Sequence, residues 1–253
     1  MTVFLESIPA WRDIRRSLAQ DTVGFVPTMG ALHRGHFSLV ERSTAECDVT
    51  VVSVFLNPTQ FSDQADLEKY PRDQDGDRAA LDDYGVDYAL FPTFQMIYPD
   101  EYRYKVAESG LSSQLCGASR PGHFDGVLTV VMRLLNIVRP HRAYFGEKDY
   151  QQYLLIRDMV QSFLMDIEIV PCPTVREEDG VALSSRNRRL SAGGRKQAAA
   201  FAKQLREGDS PERIRSALES LGITVEYVAE DLGRRFGAVF VDGVRLIDNV
   251  VLG

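Results

Sequence analysis

Two histidines, His33 and His36, stand three residues apart around Gly35 in PTMGALHRGH, Pro27–His36. Imidazoles beside a phosphate can donate hydrogen bonds to the charge that develops during displacement at phosphorus. The apolar run Val23–Val26 predicts a buried parallel strand, Pro27–Gly30 a turn, and the residues from about His36 an amphipathic helix. A helix N-terminus carries unpaired N–H groups and a partial positive charge, so phosphate seats there readily. Gly35 has no Cβ and lets a base or phosphate approach the backbone. The pattern points to nucleotide chemistry. Out of context H-x-x-H is weaker, because surface histidines outnumber catalytic ones. A metal pair would want a third His, Cys or acidic ligand, and none stands nearby at ligand spacing.

Other stretches suit the same chemistry. In SVFLNPTQF, Ser53–Phe61, the amides of Asn57 and Gln60 suit a hydroxyl or carboxylate, although Asn-Pro is equally a turn opener. In FGEKDYQQ, Phe145–Gln152, Gly146 permits close backbone approach and Lys148 supplies a point charge for phosphate oxygens. Asp149 is an acceptor for ribose hydroxyls or a magnesium shell, and Gln152 follows on the same helical face. A capped surface helix with ordinary charges accounts for those residues too. LSSRN, Leu183–Asn187, joins the hydroxyls of Ser184 and Ser185 to the forked guanidinium of Arg186, which suits a triphosphate or leaving pyrophosphate. A basic surface loop continuing through Arg188 and Arg189 is the alternative. RPGHFDGV, Arg120–Val127, adds Arg120 and His123 ahead of the apolar helix; its Pro-Gly reads as a loop, and the two side chains suit phosphate or carboxylate without specifying either.

Positioning these groups requires a regular frame. Apolar runs at Val23–Val26, Val49–Phe55, Tyr88–Phe91, Tyr144–Phe145 and Ile167–Val170 alternate with helical patterns at His36–Glu46, Asp73–Tyr84, Gly126–Val138 and Tyr150–Phe163. That rhythm predicts an α/β fold with a parallel sheet covered on both faces. Ligands of such sheets bind beyond the C-terminal strand ends, where the histidine turn would lie. The alternation stops at Pro171-Cys172-Pro173. Beyond it, Ser191 caps an alanine-rich helix, Pro211 opens another, and Thr224–Val228, Ala238–Val241 and Val244–Ile247 read as short strands. The expected division is a domain of residues 1–174 and a smaller α+β domain of residues 175–253.

At 253 residues and a net charge of −7, the chain has enough apolar content for a packed core. It has no broad basic excess for a nucleic-acid backbone, but a small anionic substrate needs only a local basic pocket. The N-terminus, with Glu6, Pro9, Trp11 and Arg12, does not read as a signal peptide, and no stretch approaches the roughly 20 apolar residues of a membrane span. Cys47, Cys116 and Cys172 are too scattered for a disulfide framework, so free thiols in a reducing cytoplasm are expected.

HRGH resembles the HxGH signature of the nucleotidyltransferase superfamily. In series, PTMGALHxGH, NPxQF, FGEKDxQQ and xSSRN resemble the pantoate–β-alanine ligase family, with the likeness running from Phe25 to the terminal RLIDNV. The resemblance implies a Rossmann-like N-terminal domain, a C-terminal lid domain and a cytoplasmic homodimer. It also implies MgATP-dependent condensation of pantoate with β-alanine through a pantoyl-adenylate. Residue by residue, it puts His33, His36, Lys148, Ser184, Ser185 and Arg186 on the ATP phosphates. Gly146 and Asp149 fall at the nucleoside, and Gln60 and Gln152 at pantoate. Met29 borders both ligands, Pro27 completes the apolar wall, and Asn57 is a further pantoate-side position. The chain departs from the family at Gly76 and Ala80, where acidic and amide residues associated with magnesium are frequent, leaving Asp75 and Asp77 as candidate ligands. Leu183 replaces a common methionine, and the Val228–Ala238 loop is short for the family. Two other readings fit parts of the pattern: a transferase that leaves the nucleotide on its product, and a non-catalytic nucleotide-binding module.

Overall fold

A computed structural model of the chain describes residues 1–252. It divides into two compact units, Met1–Gly146 with Gln151–Cys172, and Glu147–Tyr150 with the residues from Pro173 on. The sequence reading keeps Glu147–Tyr150 in the first domain. In the structure the Asn249 amide donates to the Glu147 and Lys148 carbonyls, both at 2.9 Å, across 102 and 101 positions of sequence. No local pattern reveals a bond of that separation.

The first unit contains, in chain order, β1 (Val3–Leu5), α1 (Ile8–Ser17), β2 (Val23–Thr28), α2 (Arg34–Glu46) and β3 (Val49–Val54). Next come α3 (Gln64–Glu68), α4 (Gln74–Asp83), β4 (Tyr88–Leu90), α5 (Phe94–Ile97), α6 (Cys116–Ser119) and α7 (His123–Val138). It closes with β5 (Arg142–Gly146), α8 (Tyr150–Ser162, all but its first residue) and β6 (Glu168–Cys172). The sheet is parallel throughout, in the order β1-β4-β3-β2-β5-β6. Val23, Phe25, Val26, Val51 and Val52 are fully buried because helices cover both faces, which is why these strands read as unbroken apolar runs. From β2 the chain steps outward to β3 and β4, then returns past β2 to β5. The β2/β5 junction is therefore a topological switch point, where open parallel sheets bind ligands.

Helix α2 lies close on β2. A Cβ on Gly24 would meet Ser43 Oγ at 2.2 Å, and Ser43 itself shares a buried 2.8 Å hydrogen bond with Thr50. The sequence reading misses β1 and α1. Three residues are too few to show a period, and α1 buries only Trp11, whose indole donates to the Ile137 carbonyl at 3.0 Å.

The second unit carries α9 (Ala192–Glu207), α10 (Pro211–Ser220) and an antiparallel sheet of β7 (Thr224–Asp231), β8 (Arg234–Val241) and β9 (Val244–Val251). Ser191 caps α9 and Pro211 opens α10 as expected, Ser210 caps α10, and Phe201, Leu205, Ile214, Leu218, Val239 and Leu246 form the core. The short loop expected between Val228 and Ala238 is a hairpin: β7 and β8 are joined by Leu232 and Gly233 at φ 52° and 71°. Two left-handed residues match the twist of the flanking strands.

Candidate active site

Three of the recognised motifs follow the C-terminal ends of β3, β2 and β5, which are adjacent strands. After β2 the backbone turns through Gly30 at φ 87° and Ala31 at φ 50°. Left-handed alanine costs about 1 kcal/mol or more and persists only where neighbours hold it. Here Asp77, on the first turn of α4 and 4% exposed, accepts the Ala31 N–H at 2.9 Å and the Leu32 N–H at 2.7 Å. Thr28 Oγ1 donates to the Ser53 carbonyl at 2.8 Å and ties the same turn to β3.

Helix α2 begins at Arg34, two residues earlier than expected, and His33 is its N-cap. His33 Nδ1 accepts from the Gly35 N–H at 3.1 Å, and the His33 N–H donates to His36 Nδ1 at 3.3 Å. The rings stack with centroids 4.0 Å apart. Because both Nδ1 atoms accept, the neutral imidazoles carry their proton on Nε2, and each Nε2 is a donor. Histidine is outside the usual N-cap set of Asn, Asp, Ser and Thr, so its use marks a site where chemistry overrides local preference.

After β3, Gln60 Nε2 donates to Met29 Sδ at 3.0 Å and Gln60 Oε1 accepts from Asn57 Nδ2 at 3.0 Å. Asn57, 1% exposed, also donates to the Gly126 carbonyl at 3.2 Å and accepts from Thr59 at 3.0 Å and Tyr98 at 2.9 Å. Burial pushes the Tyr98 phenol up to about 12, so it stays a donor at neutral pH. Asn57 has used both hydrogens and both lone pairs within the chain; its geometry makes it the support of Gln60 rather than a ligand group. Arg120 and His123 also differ from expectation. Arg120 Nη2 at 3.2 Å and His123 Nδ1 at 2.7 Å both reach the Gln60 carbonyl, and Arg120 Nη1 lies 3.0 Å from His123 Nε2.

Gly146 ends β5, and a Cβ there would meet no atom of the chain within 4 Å, so internal packing does not demand glycine. On α8 the two glutamines part company. Gln151, 5% exposed, holds the Cys116 N–H and the Leu111 and Gln114 carbonyls, whereas the half-buried Gln152 side chain makes no hydrogen bond to a described residue.

In the second unit, Lys148 Nζ lies 3.7 Å from Asp149 Oδ1. Ser184 caps the short 3-10 turn Ser185–Arg189 by accepting from the Arg186 N–H at 3.3 Å, and Ser185 is buried. A bridge between Arg176 and Ala182 and a 3.0 Å bond from the Leu183 N–H to the Val175 carbonyl form the hairpin leading into that turn. The Glu177 N–H continues the hairpin by donating to the Val181 carbonyl at 2.9 Å. Arg195 then braces it by pairing with Glu177 and, at 2.9 Å, with Asp179.

Comparison with known proteins decides what these parts belong to. The model of the pantoate-beta-alanine ligase family matches residues 4–251. The chain belongs to that family. It is 52% identical to the pantothenate synthetase of Bdellovibrio bacteriovorus, over 99% of both chains, and 50% identical over the whole length of both to that of Legionella pneumophila. It is similar in structure to the pantoate-beta-alanine ligase of Francisella tularensis, solved with β-γ ATP and β-alanine, at TM-score 0.96 and 40% identity over 99% and 98% of the two chains. The pantothenate synthetase of Thermus thermophilus follows at TM-score 0.89 and 41% identity over 99% of each.

As a member of the pantoate–β-alanine ligase family, the chain uses Asp77, one of the two acidic positions named as candidate metal ligands, to hold its own backbone. Asp77 spends both carboxylate oxygens on the backbone of the histidine turn. Among the described residues no group of three His, Cys, Asp or Glu could hold a metal ion. The positioning roles of Asp77, Gln151 and Asn249 escape sequence reasoning, since each serves a backbone group 35 or more positions away. The one available signal is composition: a carboxylate or amide at a position whose periodicity is apolar.

Proposed function

We propose that this chain condenses pantoate with β-alanine at the expense of ATP, through a pantoyl-adenylate, releasing AMP and pyrophosphate. The observation that carries the reading is the match to the ligase family over residues 4–251. A carboxylate is a poor acyl donor, so the pantoate carboxylate attacks the α-phosphorus and pyrophosphate departs; the amine of β-alanine then displaces AMP. The Nε2 donors of His33 and His36 suit the charge that builds on the phosphate oxygens in the first step. Lys148, Ser184, Ser185 and Arg186 are assigned to the phosphates, and Gly146 and Asp149 to the nucleoside. Gln60 and Gln152 are assigned to pantoate, with Pro27 and Met29 as its apolar wall and Asn57 holding Gln60.

Magnesium enters, in this reading, as part of the MgATP substrate, held by phosphate oxygens and water; an ion that keeps several waters needs no all-protein cage. The second unit acts as a lid that shields the adenylate from water. Free thiols at Cys47, Cys116 and Cys172 support a reducing, cytoplasmic setting. Among the described residues no helix is long and apolar enough to cross a membrane. A homodimer follows from the family resemblance, and sedimentation velocity tests it.

The deciding experiment is ATP–pyrophosphate exchange without β-alanine. Exchange that requires pantoate supports the ligase; exchange without pantoate, or a stable nucleotidyl product, overturns it. Small-angle scattering with and without a non-hydrolysable adenylate analogue tests the lid, and unchanged particle dimensions would sink that part.

A further inference from the structure

The terminal strand β9 breaks its own pattern. Val244 and Leu246 are buried in alternation, but Asp248 and Asn249 are then buried consecutively, at 4% and 3% exposure. A strand that merely closed a sheet would not bury a carboxylate and an amide side by side, because each must find partners or destabilise the fold. Both do find them. Asp248 accepts from Arg176 through both oxygens, at 2.6 and 2.9 Å, while Arg176 also donates to the Asn249 carbonyl at 3.2 Å. With its backbone so anchored, Asn249 donates one amide hydrogen to the Glu147 carbonyl and the other to the Lys148 carbonyl, both at 2.9 Å. Arg234 fixes the orientation of that amide by donating to Oδ1 at 2.8 Å. The same guanidinium donates to Glu147 Oε1 at 2.6 Å and lies 3.8 Å from the Tyr150 ring centroid.

The two carbonyls held by Asn249 belong to the peptide planes on either side of the Lys148 Cα. Fixing both planes fixes φ and ψ of Lys148, and hence the direction in which its side chain leaves the backbone. We propose that Asn249, oriented by Arg234 and anchored through Asp248 and Arg176, is a positioning residue that aims Lys148 at the nucleotide phosphates. The inference rests on the assignment of Lys148 to ATP made above. Buried polar networks of this kind are weak sources of net stability but strong determinants of geometry. A misplacement of about 1 Å in a positioned group can cost on the order of 100-fold in rate.

The test is a double-mutant cycle on the full-length enzyme, with Asn249→Ala, Lys148→Ala and both together. It reads single-turnover adenylation, ATP and pantoate affinity by calorimetry, and thermal melting. Asn249→Ala is expected to slow adenylation by about 10- to 100-fold, to leave pantoate affinity unchanged, and to add little once Lys148 is gone. Normal adenylation in Asn249→Ala, or a full additional loss in the Lys148→Ala background, would overturn the positioning role. If Lys148→Ala itself adenylates normally, the ATP assignment fails and the inference falls with it, so the two failures are separable. Should Asn249→Ala not fold, Arg234→Gln removes the lock on the amide while sparing the strand. It is expected to give a smaller loss in the same direction, again absent without Lys148; wild-type behaviour would count against the proposal.

Discussion

His33 is asked to do two things, cap α2 through Nδ1 and donate through Nε2, and a substitution can separate them. His33→Asn keeps a favourable cap and removes the Nε2 donor, so its melting temperature should stay near wild type while single-turnover adenylation slows by about 10²–10³. His33→Ala should show the same slowing with an added stability loss of about 1 kcal/mol. Normal adenylation in His33→Asn would remove His33 from the chemistry. Asp77 is the complementary case. Asp77→Asn turns one of two acceptors into a donor that faces a backbone N–H, which costs about 1–3 kcal/mol for the unpaired group. The expected outcome is a lowered urea midpoint together with slower adenylation, because the turn that carries His33 loosens. A variant that loses stability but adenylates at the wild-type rate would show that Asp77 serves the fold alone.

Between elements, a close fit in the first unit is the seat of the Pro58–Gln60 turn on α7. A Cβ on Gly126 would lie 2.3 Å from the Thr59 carbonyl oxygen and 2.7 Å from the Gln60 Cα, and both are backbone atoms with nowhere to swing. Helix propensity favours alanine over glycine by about 1 kcal/mol, so an isolated α7 would gain from Gly126→Ala. The contact reverses the sign. The variant is expected to push the turn away, break the Asn57–Gly126 bond and weaken pantoate binding measured by calorimetry, with ATP affinity nearly unchanged. Equal loss for both ligands would mean general unfolding rather than displacement of Gln60. The same contact explains why Arg120 and His123 read from sequence as ligand-facing. They are polar groups at the start of an apolar helix, but the turn they face belongs to the chain itself.

For the molecule as a whole, acid stability has a traceable contributor. Asp100 accepts from Arg133 at 2.7 and 3.0 Å and from the Tyr104 N–H at 2.8 Å, and these bonds hold its carboxyl well below the usual carboxylate range. A folded value below the unfolded one stabilises the fold above the unfolded value of about 3.9, and the contribution is lost as pH falls through the folded value. Arg133→Met should therefore lower the melting temperature by a constant amount from neutral pH down to about 5. The gap to wild type should then narrow below about 4. A gap that persists undiminished at the acid end would assign the effect to lost packing of Arg133 over Tyr98 instead.

What the sequence determined by itself was everything encoded in short-range pattern. Short apolar runs located β2, β3, β5 and β6, and helical periods located α2, α4, α7 and α8. The strand-turn-histidine-helix order set His33 and His36 around a helix start near His36, two residues past Arg34, where α2 begins. The capping Ser191 and the helix-opening Pro211 were equally legible, because a helix start is marked within three residues of itself. Tertiary structure alone decided which polar residues are spent on the chain itself. Gln151 and Gln152 are adjacent and chemically identical, yet one is spent on three backbone groups and the other on none of the described residues. Asn57 and Asp77 look like ligand groups until the backbone they hold is seen, and Asn249 carries no local signal of the backbone it holds. The physical reason is that a buried amide or carboxylate must be satisfied, and its partner is set by where distant segments meet, not by its neighbours in the chain.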